Sequence, residues 1–393
     1  MVNVYHLFVN IIVLFCCSTL TYRFWPPINR VLAVFIVGLC IYFYCRKLTK
    51  KKCILALGLI SIFAFSLVMT NDIKQNLNDY LYWLVTIILC VELSDDEFLI
   101  TLSNCFSSAN RIMKAILIIG NFVLLIGFFL PSCYSSAWEG HYYVGFAYSQ
   151  HSICCGCCIL LVIGLFYFRN EKLNFSKLPY FLPASLAILQ SGARTFIISL
   201  LIIWLFIYMD LIHSKNLKLL LFPIVLVLAS YFILNSSMME KFLFASTNQY
   251  TSSNKWVSFS SGRFDFWTID ITAFLNSNII NKIFGNGFSY VYEVNKELYG
   301  LYIWAHNDLI DVLLSAGIIG TLIYFLPIFE MLKSAWKIHM PKIEKIAIIL
   351  YFVFPLLING LFAYQHYLYS FLILLIYCRS KVEHIRCLSG GEN

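Results

Sequence analysis

The sequence predicts an all-α polytopic membrane protein of about twelve transmembrane helices with one long polar loop on its outer side. Three observations lead there. Of 393 residues, 60% are hydrophobic and only 12% charged, too few polar groups to coat a soluble globule of this size. Apolar runs recur at about the 20 residues a helix needs to cross a bilayer. Lys and Arg gather in alternate connections between those runs, as they do on the cytoplasmic side of membrane proteins.

The first run, 3–22, has no basic segment ahead of it. No small-residue cleavage site precedes Arg23-Phe24-Trp25-Pro26-Pro27, so it reads as a retained first span rather than a signal peptide. Further spans are expected at about 31–45, 53–70, 77–93, 115–133, 151–168, 178–190, 193–212, 219–236, 308–332, 346–361 and 363–378. The runs at 31–45 and 178–190 are short, which brackets the count between eleven and thirteen. With the N-terminus inside, nineteen of the 28 basic residues fall in cytoplasmic connections and both termini are cytoplasmic. Five of the other nine (Lys241, Lys255, Arg263, Lys282 and Lys296) sit in the long outer loop, 237–307, and long loops obey the charge rule poorly. The net charge of +8 is therefore mostly topology and not a nucleic-acid footprint. No repeat, low-complexity tract or second soluble domain divides residues 1–393.

Fourteen cysteines invite a metal or disulfide reading. Cys154-Cys155-Gly156-Cys157-Cys158 resembles paired ligands, but it lies inside an apolar run with no second pair and no charge to hold thiolates. Packing of small residues in a membrane helix is the expectation. Cys133 alone falls near the outer face, with no outer partner, so no disulfide framework is implied.

Among the histidines placed on the outer side (His141, His151, His306 and His366), His306 differs by its neighbours. It opens Ala305-His306-Asn307-Asp308, which ends the polar loop and begins an apolar helix. Asp308 and Asp311 are spaced i, i+3 and share a face one turn inside the membrane boundary, where carboxylates need a cavity or a partner. A neutral imidazole there can take a proton from a hydroxyl. The alternative is an interfacial helix cap in which Asn307 or Asp308 accepts from free backbone N–H groups, and the two readings are compatible.

Arg194, in Gln190-Ser191-Gly192-Ala193-Arg194-Thr195, lies where two short spans meet on the outer side. An Arg kept near membrane depth calls for an anion or a cavity, phosphate first; the alternative is snorkelling to lipid headgroups. Ser260-Ser261-Gly262-Arg263-Phe264-Asp265-Phe266-Trp267 begins an amphipathic interfacial helix running to about Leu275, with Ser260 or Ser261 as N-cap. Arg263 then stands where a guanidinium and free N–H groups can hold one anion, unless it is simply bound to solvent or headgroups. Gly285 and Gly287, in Phe284-Gly285-Asn286-Gly287-Phe288, can bring backbone N–H groups to a phosphate. A nucleotide site is excluded, because no strand precedes the turn and the third glycine and acidic residue are missing. Tyr290, Tyr292, Tyr299, Tyr302 and Trp304 crowd the approach to His306. Such a run reads first as an aromatic interfacial belt, with stacking of Tyr302 and Trp304 on sugar rings as the alternative.

The order of these pieces is specific: SGAR at 191–194, GRFDFW at 262–267, IFGNGF at 283–288, and AHNDLIDVLLSAGIIGTLIYF at 305–325. Over 188–330 it resembles the O-antigen ligase and polymerase superfamily of bacterial envelope glycan enzymes. The resemblance implies a GT-C-type glycosyltransferase fold with one long periplasmic loop, in the bacterial inner membrane, with the active site periplasmic. It implies undecaprenyl-diphosphate-linked oligosaccharides as donor and acceptor, membrane lipids around the chain, a chain-length regulator as a further partner, and no nucleic acid. By the same likeness His306 matches the catalytic histidine, which accepts the proton of the acceptor hydroxyl. Arg194 and Arg263 match the arginines that hold the diphosphate, with Asn307, Asp308, Asp311, Gly285 and Gly287 in support. No cofactor is implied, and Asp265, Asp270, Glu293 and Glu297 are too scattered to form an Asp-x-Asp metal site.

Within the superfamily, GRFDFW, the GNG turn and AHNDLIDVLLSAGIIG look closer to polymerases, which pass the growing chain to the next lipid-linked unit, than to ligases, which pass the finished chain to lipid A-core. A flippase of lipid-linked glycan stays open as a non-enzyme reading. Transporters tend to show repeated halves and a midplane polar path, whereas the polar residues here are one-sided.

Overall fold

The computed structural model describes residues 2–137, 140–171, 173–212, 214–237, 239, 262–360 and 364–389. Lys241, Lys255, Ser260 and Ser261, all used in reading the sequence, lie outside the described residues. The fold is a helical bundle. It begins with α1 (Val2–Leu20), α2 (Pro26–Arg46), α3 (Lys50–Met69), α4 (Ile73–Leu93), α5 (Asp96–Ser108) and α6 (Asn110–Phe128). A short antiparallel hairpin, β1 (Tyr134–Ala137) and β2 (Gly140–Tyr143), precedes α7 (Gln150–Tyr167), α8 (Leu182–Gln190), α9 (Phe196–Leu211) and α10 (Lys215–Leu234). The long polar segment contributes α11 (Arg263–Asn276), α12 (Ile279–Phe284) and α13 (Tyr290–Tyr299), and these are followed by α14 (Asp308–Lys337), α15 (Lys342–Ile358) and α16 (Gln365–Ser389).

Helices α7 and α16 form the centre. A helix that is apolar all round has no polar face to offer and packs inside, and Ile153 through Phe166 of α7 are buried on every side. The cysteine run supplies small, adaptable side chains at this crossing. Cys16 donates its thiol to the Gly156 carbonyl at 3.4 Å, and a Cβ added at Gly156 would sit 2.7 Å from the Leu20 side chain. The described cysteines are all free thiols. Buried hydroxyls find partners within the core, as they must: Tyr367 contacts Ser199 at 2.7 Å and donates to the Tyr351 carbonyl at 2.8 Å, and Tyr351 meets Ser370 at 2.9 Å.

Seven helices among the described residues are long and apolar enough to cross a membrane: α1, α2, α3, α6, α7, α10 and α14. These establish a polytopic membrane protein. Helices α4, α9, α15 and α16 also stand where spans are expected, α9 as a shorter apolar helix. Three expectations change. The short run at 31–45 is part of a full 21-residue helix that starts at Pro26, a residue suited to a first turn. The run at 178–190 is a 3-10 turn, Phe175–Tyr180, followed by the nine-residue α8, about 13 Å long and too short to span alone. The apolar run after His306 is broken at Gly317, whose φ of 65° and ψ of −167° interrupt α14. Helix α5 is amphipathic and starts at the N-cap Asp95, in a stretch where the run lengths predict only a connection.

Ion pairs mark one end of the bundle: Lys47 with Glu97, Lys51 with Glu330, Lys52 with Glu92, Arg379 with Asp96 and Lys381 with Asp210. Glu330 lies well past the break at Gly317, so the Asp308 end of α14, with His306, stands away from this end.

Candidate functional site

The start of α14 is built around its own orphan backbone groups. Asn307 is the N-cap, and its Oδ1 accepts from Leu309 N at 2.9 Å and Ile310 N at 3.3 Å. Asp308 and Asp311 are fully buried on the inward face, but each is engaged by the protein. Asp308 Oδ2 accepts from the Tyr324 hydroxyl at 2.6 Å and Asp311 Oδ1 from the Ala305 N–H at 2.8 Å. Such partners offset the cost of carboxylates at this depth. Trp267 Nε1 donates to the Ala305 carbonyl at 2.8 Å, so Ala305 is held through both of its backbone groups. The next residue, His306, has φ +58° and is the one non-glycine residue in the left-handed region among the described residues. That conformation persists only where the surroundings impose it.

His306 is 9% exposed. Its ring lies 4.5 Å from that of Trp304. A hydrogen bond ties it to the Asn359 backbone, while Nδ1 is buried without a partner among the described residues. Burial holds the imidazole well below its ordinary range, and the charges of Arg263 and His151 push the same way, against the Asn359 bond. The ring is therefore neutral, with Nδ1 facing no hydrogen-bond partner among the described residues.

Arg263 is the first residue of α11. Gly262, with φ +83°, occupies the cap position and offers no side-chain cap, while the expected caps Ser260 and Ser261 fall outside the described residues. Arg263 Nη2 donates to Asn359 Oδ1 at 3.5 Å. Burial and the neighbouring charge of Arg194 bring the guanidinium down to about 10, against an opposing influence of Tyr364. Asn359 therefore touches Arg263 through its side chain, and His306 and Trp304 through its backbone.

Arg194 follows the turn between α8 and α9. Gly192 has φ +69°, and a Cβ there would sit 2.4 Å from the Tyr142 ring, so both backbone and space require glycine. Ser191 donates to the Ile188 carbonyl at 2.7 Å, accepts from Ala193 N at 3.1 Å and meets the Cys154 thiol at 3.0 Å. Neither α8 nor α9 reaches the roughly 30 Å hydrocarbon thickness. The turn is recessed in the bundle under the β1–β2 hairpin, with Arg194 beside Tyr142. The structure brings Arg194, Arg263 and His306 into one locus, since Arg194 acts on Arg263 and Arg263 on His306.

The GNG turn lies elsewhere. Asn286 N and Gly287 N donate to the Leu314 and Ser315 carbonyls at 2.9 and 3.0 Å, which the break at Gly317 frees from α14. Its amides therefore brace the helix and face no phosphate. A Cβ at Gly285 would meet Ser315 O at 2.1 Å, and one at Gly317 would meet Gly285 N at 2.5 Å, so the two glycines allow the close approach. Of the two expected stacking residues, Trp304 packs on His306, whereas the Tyr302 hydroxyl donates to Asp72 Oδ2 at 2.9 Å.

Sequence reasoning passed over Asn359, Tyr364, Trp267 and Tyr142. Asn359-Gly360 interrupts an apolar run, a break signal that was there to be used; the others look like ordinary interfacial aromatics. Among the described residues no group of three or more His, Cys, Asp or Glu side chains is placed to hold a metal ion.

Residues 179–325 match the family model of the O-antigen ligase domain. That stretch contains Arg194, Arg263 and His306, and the match supports the O-antigen ligase/polymerase superfamily. A search of curated proteins found no match.

Proposed function

We propose that the chain is an O-antigen polymerase. It transfers the growing glycan from undecaprenyl diphosphate to a sugar hydroxyl of the next lipid-linked repeat unit, at the periplasmic face of the bacterial inner membrane. The observation that carries this reading is a neutral, buried imidazole with Arg263 and Arg194 beside it, inside the stretch that matches the family. His306 Nδ1 takes the acceptor proton as the hydroxyl oxygen bonds to the anomeric carbon. The bond from that carbon to the diphosphate breaks, and its electron pair leaves as phosphate charge stabilised by the two guanidinium groups. Two such forks can serve a diphosphate leaving group without a metal. The architecture is read as a GT-C-type fold of about twelve spans, with a chain-length regulator as a further partner.

The ligase reading stands beside it, because the matched family model, described as O-antigen ligase, does not separate the two. The lipopolysaccharide of a deletion strain separates the readings. One repeat unit on core marks a lost polymerase, bare core with accumulated lipid-linked polymer a lost ligase, and inward-facing intermediates a lost flippase. His306→Ala should abolish transfer while the protein still inserts, and full-length polymer in that variant removes it as the base. Arg194→Lys should be impaired, because a point charge does not reproduce a bidentate fork; wild-type polymer from it would argue for snorkelling.

A further inference from the structure

We propose that His151 is a third ligand of the donor diphosphate, adding an imidazole N–H to the guanidinium groups of Arg194 and Arg263. The inference rests on the donor reading above. His151 stands in the first turn of α7, behind the N-cap Ser149. Its ring is stacked on Tyr364 at 5.1 Å and 16°, and lies edge-on to Phe196 at 6.0 Å. Phe196 is two residues beyond Arg194. Tyr364 meets Trp304 at 5.7 Å, and Trp304 meets His306 at 4.5 Å. The two imidazoles thus stand at the ends of one aromatic row, with the Arg194 turn at the His151 end.

The electrostatics agree with that placement. Both Arg263 and His151 act on His306, and Arg194 acts on Arg263. Positive charge gathered in a partly desolvated place is costly unless an anion enters, and a diphosphate offers charge enough for several ligands at once. The start of α7 adds the partial positive end of an 18-residue helix. Stacking fixes the plane of the His151 ring before any ligand arrives, so little side-chain freedom is lost on binding.

The test uses the full-length chain in detergent with undecaprenyl diphosphate as probe and inorganic diphosphate as competitor. His151→Phe keeps a ring to stack on Tyr364 and Phe196 but removes the N–H donors. It should bind undecaprenyl diphosphate about tenfold more weakly, the size of one lost charge-assisted hydrogen bond, and raise the donor KM more than it lowers kcat. His151→Gln, which keeps a donor, should recover part of the loss. Wild-type binding by His151→Phe, alongside lost binding in Arg263→Gln, would assign His151 a packing role and leave the donor reading standing. Failure of the wild-type chain to bind the probe would overturn both. Should His151→Phe not fold, His151→Ala against His151→Gln makes the same comparison, and wild-type binding in both overturns the proposal.

Discussion

Replacing Trp267 with Phe removes the one hydrogen bond that holds the Ala305 carbonyl, while keeping an aromatic ring at a position packed on the cluster of Val291, Ala305 and Leu314. The indole N–H reaches the Ala305 carbonyl at 2.8 Å, while the ring itself packs edge-on to Phe264 at 5.2 Å, a contact that Phe can keep. Ala305 is fully buried, so its carbonyl would lose a partner out of reach of water. That costs about 1–3 kcal/mol. The left-handed backbone at His306 carries a strain of about 1–2 kcal/mol, so the lost bond is as large as the strain it helps to restrain. The turn should relax and move the imidazole off its position. At about 1.4 kcal/mol per tenfold, transfer should fall by roughly 5- to 140-fold with little change in protein level. The assay is polymer formation in membranes normalised to protein, with thermal unfolding of the purified chain alongside. A Trp267→Phe protein that transfers glycan at the wild-type rate would show that this bond does not position His306.

Two further outcomes follow from the charge states. Because the His306 imidazole is held well below its ordinary 6.5, it stays unprotonated as the pH falls through that value, and its share of stability is lost only from about there downward toward the lower folded-state value. The transfer rate should be flat from pH 8 to about 6, and an inflection centred near 6.5 would show a solvated imidazole instead. Asp270 is the opposite case: burial raises its carboxyl to about 7, against the Asn295 contact, so its contribution is full below the ordinary 3.8 and disappears as the pH rises through about 7. Asp270→Asn should therefore melt higher than the wild type at pH 8, by the equivalent of a few kcal/mol at most, with the gap closing toward pH 4; parallel melting curves at both pH values would contradict this.

Much of the fold was legible because a bilayer permits few solutions. Backbone groups in hydrocarbon must be satisfied within a helix, so apolar run length locates most of the helices from α1 to α16. What escaped was where helices stop inside the apolar layer. Gly317 sits within a uniformly apolar sequence, and its break is visible only with the GNG turn that supplies the missing donors. The run at 178–190 has the hydropathy of a span but is divided between a 3-10 turn and α8. At the site, Arg194, Arg263 and His306 stood out as polar groups in an apolar chain, whereas Asn359 acts mainly through its placement: one residue bonds Arg263, Trp304 and His306. Long-range adjacency of that kind leaves no local pattern. The two glycines of the outer turn were visible, but their duty was not, since a glycine that admits a phosphate and one that admits a helix look alike in sequence.

The segment 262–307 is less a loop than a second layer folded against the helices of the bundle at three points. Trp267 ties α11 to Ala305. Asn76 on α4 accepts from Phe288 N at 2.7 Å. The GNG turn completes the hydrogen bonding of α14 at its break. Each anchor replaces water with a fixed protein partner, so Arg263 and His306 are set relative to α9 and α14 before a substrate enters. Such preorganisation is what a developing phosphate charge requires, because donors already aimed need no reorganisation at the moment of bond cleavage. The two aspartates of α14 are themselves held by Ala305 and Tyr324, which fixes the start of the helix, and with it the turn that carries the proposed base, from within the protein.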